Sequence, residues 1–203
     1  MKKLVLALGL VCLLTLLGIG VNAALSASMY FPIVYKAPAT PIPSQTPDPG
    51  PILLPNGDFE QGHETWIEYS NLGYPLIRYY DELAIAPHSG KWAAWLGGSA
   101  NNIEQLGQTV LVTPDRPYIS FWLWISSIDH CNFDFAYIFV GEDQIDKHDL
   151  CYDHNTNGWV QTVYDLRAYS GQTVDIIISV DTDPSYNSSL YLDDFEFQPN
   201  SNP

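Results

Sequence analysis

Basic residues are scarce in this sequence: 8 Lys and Arg stand against 23 Asp and Glu among 203 residues. A surface of that sign repels phosphates, which argues against nucleic acid as a partner and against anionic membrane surfaces. It suits cation binding and solubility outside the cell. Helical periodicity is also missing. From Leu53 to Gln198 no stretch repeats apolar residues at intervals of three and four. Several catalytic signatures are absent as well. His63-Glu64 is followed by Thr65-Trp66-Ile67, so the H-E-x-x-H pattern of zinc peptidases is not completed. No G-x-S-x-G occurs, and no His, Asp and Ser stand out in triad order. Carboxylates are numerous enough for a glycosidase pair, but abundance alone is no signal. These absences point away from an enzyme. A small glycan hydrolase or lyase is the weakest of the readings kept open.

The amino terminus is a basic Met1-Lys2-Lys3 followed by an apolar run from Leu4 to Val21, with small residues at Val21-Asn22-Ala23 and Leu25-Ser26-Ala27. This is the pattern of a signal peptide over residues 1–27. It implies an extracellular or cell-surface protein, with no membrane insertion after cleavage. An uncleaved anchor is the alternative, since the apolar run is just long enough to span a bilayer. Cleavage leaves 6 basic residues against 23 acidic ones, a net charge of −17. Residues 28–52 form a linker. Seven prolines fall between residues 37 and 55, and such a segment stays extended as a semi-rigid spacer.

Residues 53–198 read as the folded domain, with 199–203 as a tail. Ile119, Phe121, Leu123 and Ile125 alternate with Ser120, Trp122, Trp124 and Ser126, and Val174 to Asp181 alternates in the same way. Alternation of period two marks strands. Turn signals such as Asn71-Leu72-Gly73, Thr113-Pro114-Asp115, Gly141-Glu142-Asp143 and Ser170-Gly171 separate the runs. About ten strands with regular turns predict an all-β fold, an antiparallel β-sandwich or jelly roll.

Only Cys131 and Cys151 remain once the leader is gone. An even count in a secreted domain suggests one disulfide. The runs Phe133–Val140 and Asp143–Leu150 flank Gly141-Glu142, a hairpin tip from which the cysteines are equidistant, so they would face one another across its open end. Closing a loop of about twenty residues stabilises by roughly 3 kcal/mol. Zinc is the rival, because His148-x-x-Cys151-x-x-His154 has ligand-like spacing with His130 nearby; residues three apart do not share a strand face, which weighs against it.

The domain opens with Asn56-Gly57-Asp58-Phe59-Glu60 and closes with Leu190-Tyr191-Leu192-Asp193-Asp194-Phe195-Glu196-Phe197. Strict alternation gives Asp193 the phase of Tyr191, Phe195 and Phe197, hence an inward carboxylate, which is costly unless paired or bound to a cation. No Lys or Arg lies nearby in sequence. Glu60 is the natural second carboxylate, and with turn carbonyls the two would form an oxygen cage for calcium. Exposure at strand ends, or bonding to backbone N–H groups, is the equally weighted alternative. Asp181-Thr182-Asp183 with Asn187 is a further oxygen-rich loop that reads as a turn first and a cation site second.

Several segments resemble the galactose-binding-like jelly-roll superfamily, in particular bacterial carbohydrate-binding modules and C-terminal modules of secreted peptidases. They are Asn56-Gly57-Asp58-Phe59-Glu60, Ser89-Gly90-Lys91-Trp92-Ala93-Ala94-Trp95-Leu96-Gly97-Gly98, Ile119-Ser120-Phe121-Trp122, Asp165 to Gln172 and Leu192-Asp193-Asp194-Phe195. The resemblance implies a structural calcium ion held by the side chains of Glu60 and Asp193 and by backbone oxygens of Asp58, Ser89 and Lys91. Sugar binding uses flat aromatic rings with carboxylates and amides around them. The candidates are Trp122 and Trp124 on the outer face of their strand, joined by Tyr79, Tyr80, Trp66 and Tyr69; the alternative is that these rings merely cover a second packed layer. The resulting expectation is a non-catalytic module that binds a polysaccharide or glycoconjugate. An extracellular adhesion or protein-interaction module without a sugar site is the alternative.

Overall fold

The computed structural model describes residues 52–202. The expected leader, and all but the last residue of the expected linker, lie outside them. Eleven strands run in the order β1 Ile52–Leu53, β2 Ile67–Ser70, β3 Ile77–Tyr79, β4 Trp92–Gly97, β5 Ile103–Leu111 and β6 Tyr118–Ser127. They continue with β7 Phe135–Val140, β8 Asp143–Asp149, β9 Val160–Asp165, β10 Thr173–Asp181 and β11 Ser188–Gln198. All pairings are antiparallel. The first sheet has the order β3-β4-β11-β6-β9, with β1 added on β11; the second has the order β2-β5-β10-β7-β8. Among the described residues no helix is long and apolar enough to cross a membrane.

The alternation read in the sequence is what packs these sheets. Ile119, Phe121, Leu123 and Ile125 of β6 face Leu106, Ile138, Val140, Ile176 and Ile178 of the second sheet, and all are buried. Phe195 sits at the centre, stacked on Phe121 at 4.5 Å and edge-on to Trp66 at 5.0 Å. Truncating such a ring to alanine costs about 3–5 kcal/mol.

The expected hairpin is present. Val140 pairs with Asp143 across a turn in which Gly141 takes a φ of 60°, a left-handed conformation that favours glycine. At its open end Cys131 and Cys151 form a disulfide, with Cα atoms 4.8 Å apart. The zinc reading fails on this point, because a disulfide sulfur offers no thiolate to a metal.

One expectation about β11 is corrected. Leu190, Leu192 and Phe195 all reach the core, so the strand cannot alternate strictly. The register against β6 shifts between Asp193 and Glu196, and Asp194 adopts a φ of 50°. This bulge inserts an extra residue and flips the phase. Asp193 therefore shares a face with Tyr191 and with its cross-strand partner Trp122, not with Phe195. The bulge takes its hydrogen bonds from the domain entry instead: Leu54 N donates to Phe195 O at 2.9 Å, and Phe195 N donates to Gly57 O at 2.8 Å. A Cβ on Gly57 would fall 2.2 Å from Phe195 O, so only glycine fits there.

Candidate functional site

The entry loop is built to present Glu60. Asn56 holds the loop from inside, donating from Nδ2 to the carbonyls of Gly62 and Glu64, both at 2.8 Å, and accepting from Gln61 N at 2.9 Å. Phe59 and Trp66 are driven into the core, and the Trp66 indole donates to Asn56 O at 2.8 Å. Asn56, Phe59 and Thr65 all have φ between 52° and 69°. Such left-handed residues persist only where the surroundings over-determine them.

Glu60 and Asp193 then meet the same turn. Glu60 Oε1 accepts from Lys91 N at 2.6 Å and Trp92 N at 2.8 Å. Asp193 Oδ2 accepts from His88 N at 2.9 Å and Ser89 N at 3.1 Å, and its Oδ1 accepts from Asp194 N at 2.8 Å. The neighbouring Asp194 takes Ser89 Oγ at 2.8 Å and His88 Nδ1 at 2.5 Å. Gly90 makes room for this, since a Cβ there would lie 2.2 Å from Glu60 Oε1. Asp193 is fully buried, although it faces away from the core, because residues 88 and 89 close over it. Burial, and then the charge of Asp194, push its carboxyl up to about 8. Asp58 turns one carboxylate oxygen back to Glu60 N at 3.4 Å. Both acids thus use backbone N–H groups as partners. Their donor set is entirely oxygen, which suits a hard divalent cation rather than zinc.

The expected aromatic platform divides. Trp66 is buried, with 6% of its surface exposed, between Phe59 and Phe195, so it is a core residue and cannot touch an external ligand. Tyr79 lies at the edge of the first sheet against Tyr80 and Trp92, at 4.7 and 5.2 Å. Trp122 and Trp124 do stand on the outer face of that sheet, half-buried. However, the His88 ring stacks on Trp122 at 3.9 Å, and Trp159 packs edge-on to Trp124 at 6.1 Å. Trp159 is tied down by its indole bond to Ala86 O at 3.1 Å. The segment that closes over Asp193 therefore also covers Trp122.

The second sheet has an open outer face that sequence reasoning did not single out. Cross-strand registers align Tyr69, Gln105, Ser179, Tyr137 and Lys147 in one row, and Ile67, Gly107, Ile177, Phe139 and Gln144 in the next. Phe135, Tyr137 and Phe139 step along β7 with ring centres 6.1 and 6.3 Å apart. Where Gly107 leaves out a side chain, a groove of about 240 Å³ runs between Ile67, Tyr69, Gln105, Thr109, Asp175 and Ile177. Ile67 is 69% exposed and Tyr69 is 52% exposed. Alternation along β7 was the signal that could have found this face. It was overlooked because each ring also reads as ordinary strand composition.

No protein-family model and no curated protein sequence matches the chain. Among solved structures it is similar to the carbohydrate-binding module TmCBM61 in complex with beta-1,4-galactotriose, at 15% identity and a TM-score of 0.54, over 73% of this chain and 98% of that one. It is also similar to the K3 cleaved adhesin domain of Lys-gingipain from Porphyromonas gingivalis W83, at 12% identity and a TM-score of 0.53, over 72% and 99%. The shared fold is an antiparallel β-sandwich. At these identities the likeness is one of fold, and what such a sandwich binds is decided by its own side chains. Two features of the outer faces bear on that: the oxygen cluster at the 88–92 turn, and the apolar groove edged by an amide, a hydroxyl and a carboxylate.

Proposed function

We propose that the chain is an extracellular, non-catalytic module that binds carbohydrate on the outer face of its second sheet, with a calcium ion bracing Glu60 and Asp193 against the 88–92 turn. The groove beside Tyr69 is the observation that carries this reading. Sugar rings offer C–H faces to aromatic rings and hydroxyls to amides and carboxylates. Tyr69, Tyr137 and Phe139 supply the first, and Gln105, Thr109 and Asp175 the second. The groove is shallower than an enclosing ligand pocket of about 300–1,000 Å³, which suits an extended chain lying in the open. A module with no catalytic groups needs no deeper cleft. A disulfide-clamped hairpin agrees with an oxidising compartment, as does the leader read in the sequence. Calcium would bind through Glu60, Asp193 and carbonyls of the entry loop and the 88–92 turn, and would supply the positive charge that these acids lack.

A glycan array probed with the purified protein in calcium tests the function. The expected outcome is retention of a polysaccharide fragment, weakened about ten-fold, or about 1.4 kcal/mol, by Tyr69→Ala or Tyr137→Ala. Trp122→Ala should leave it unchanged. Retention lost only in the Trp122 variant would move the site to the first sheet, and no retention of any glycan would leave adhesion to a protein as the better reading.

A further inference from the structure

We infer that the chain holds a second calcium site, built from Asp129, Asp134 and Asp183 at the end of the sandwich where the disulfide lies. The three acids come from different places. Asp129 and Asp134 lie in the connection from β6 to β7, and Asp183 lies in the connection from β10 to β11. One ligand oxygen from each lies within 4.8 Å of the others. Calcium takes about six to eight oxygens at about 2.3–2.6 Å in flexible geometry, so three carboxylates this close can share one ion. Magnesium demands near-ideal octahedral geometry and keeps several of its waters, so it is seldom held by a cage of protein carboxylates. An all-carboxylate donor set is a hard one, which disfavours zinc.

Each acid has one oxygen secured and another left over. Asp129 Oδ1 accepts from His130 N at 2.7 Å, and Asp134 Oδ1 accepts from Asp183 N at 2.7 Å. Asp183 Oδ1 accepts from Ser185 N at 2.7 Å and Ser185 Oγ at 2.5 Å. The remaining oxygens of the two buried acids, Asp129 Oδ2 and Asp134 Oδ2, have no hydrogen-bond partner, although their residues are 1% and 0% exposed. The Ser188 hydroxyl is within hydrogen-bond distance of both Leu150 O and Ser127 Oγ, each at 2.8 Å. Among the described residues no ion pair reaches any of the three acids. A buried carboxylate without a partner is costly, and three of like charge at this spacing repel one another. A divalent cation removes both penalties together.

The backbone around the acids is fixed before any ion arrives. Leu150 N donates to Asp134 O and Tyr152 N to Asp129 O, both at 2.9 Å, on either side of Cys151. The disulfide to Cys131, which lies between the two acids in sequence, closes the frame. Asn101 N holds Asp183 O at 2.8 Å. None of these residues belongs to the Glu60 and Asp193 cluster, so either site can stand without the other.

The test is calcium stoichiometry by equilibrium dialysis and elemental analysis on the full secreted chain, with Asp183→Asn, Asp134→Asn and Glu60→Gln variants. Asp183→Asn should weaken one binding event by ten-fold or more, since even outer partners of a metal ligand cost about 10–100-fold. It should do so equally in a Glu60→Gln background. Thermal melts supply a second readout with a sign. In chelator, Asp134→Asn removes a repelled buried charge and should raise the melting temperature; in calcium it removes a ligand and should lower it. Unchanged stoichiometry in Asp183→Asn overturns the site, as does an Asp134→Asn shift that is the same with and without calcium. Should Asp134→Asn not fold, the partly exposed Asp183 variant decides by stoichiometry alone.

Discussion

Asp193 is a carboxylate buried to completion, and among the described residues no ion pair reaches it. The sequence marked it as unusual because no basic residue stands near it. Its direction was not legible, because strict alternation places it inward and only a bulge at Asp194 turns it outward. A bulge depends on which partner strand takes the backbone bonds, and Gly57 and Leu54 lie more than 130 residues away in sequence. The burial has a measurable consequence. With its carboxyl pushed up to about 8, the folded state keeps a proton that the unfolded chain releases near pH 4. Between these values the folded state binds more protons, so stability in chelator falls as pH rises. His148, which burial holds below its ordinary value, acts in the opposite direction, but only below about 6.5. Burial also holds Glu104, Asp134 and Glu196 above their ordinary values, in the same direction as Asp193 but by less. Urea midpoints from pH 7 to 9 therefore report on these raised carboxyls, with Asp193 foremost. They should fall with pH in chelator and stay level in calcium, which replaces the proton. A midpoint that climbs with pH in chelator contradicts this account.

At the scale of elements, the hairpin of β7 and β8 was the most legible part of the molecule. Its two runs, its Gly141 turn and its cysteine clamp follow from local pattern alone, since a hairpin pairs neighbours in sequence. The aromatic faces were less legible for the complementary reason. Trp66, Tyr79 and Trp122 look alike as sequence, and what separates them is long-range: a core under Phe195, a sheet edge, and a covering histidine. The Asp129, Asp134 and Asp183 cluster needed β10 to be placed beside β7, although Asp183 already sat in a loop rich in oxygen ligands. If the hairpin clamp does what its position implies, reduction should cost about 3 kcal/mol by loop entropy, for a separation of 20 residues. It should also loosen the frame around Asp129 and Asp134. The expected result is a lower denaturant midpoint in reductant, together with weaker calcium binding that Glu60→Gln does not reproduce. Equal calcium affinity in the oxidised and reduced protein would separate the disulfide from the proposed site.

The whole molecule carries its excess of acid in the sandwich itself. Residues 52–202 hold 5 Lys and Arg against 22 Asp and Glu, a net charge of −17. Seven of those acids, Asp58, Glu60, Asp193, Asp194, Asp129, Asp134 and Asp183, gather at the two proposed cation sites, and three of them, Asp129, Asp134 and Asp193, are buried, while the other fifteen acids lie outside both sites. That division predicts two responses of different kind. Sodium chloride screens exposed charges beyond a Debye length of about 8–10 Å but reaches buried ones poorly. A cation that binds at a site neutralises charge where salt cannot. In chelator, raising salt from low to physiological strength should lift the melting temperature modestly by relieving surface repulsion. Micromolar to millimolar calcium, in the range of about 10⁻⁷–10⁻³ M over which sensor and extracellular oxygen sites bind, should lift it further at either salt concentration. Magnesium at the same concentration should do much less, because it gives up its waters reluctantly and demands a near-ideal octahedron, whereas calcium accepts irregular sets of protein oxygens. Equal effects of calcium, magnesium and a matched ionic strength of sodium would reduce both clusters to general screening.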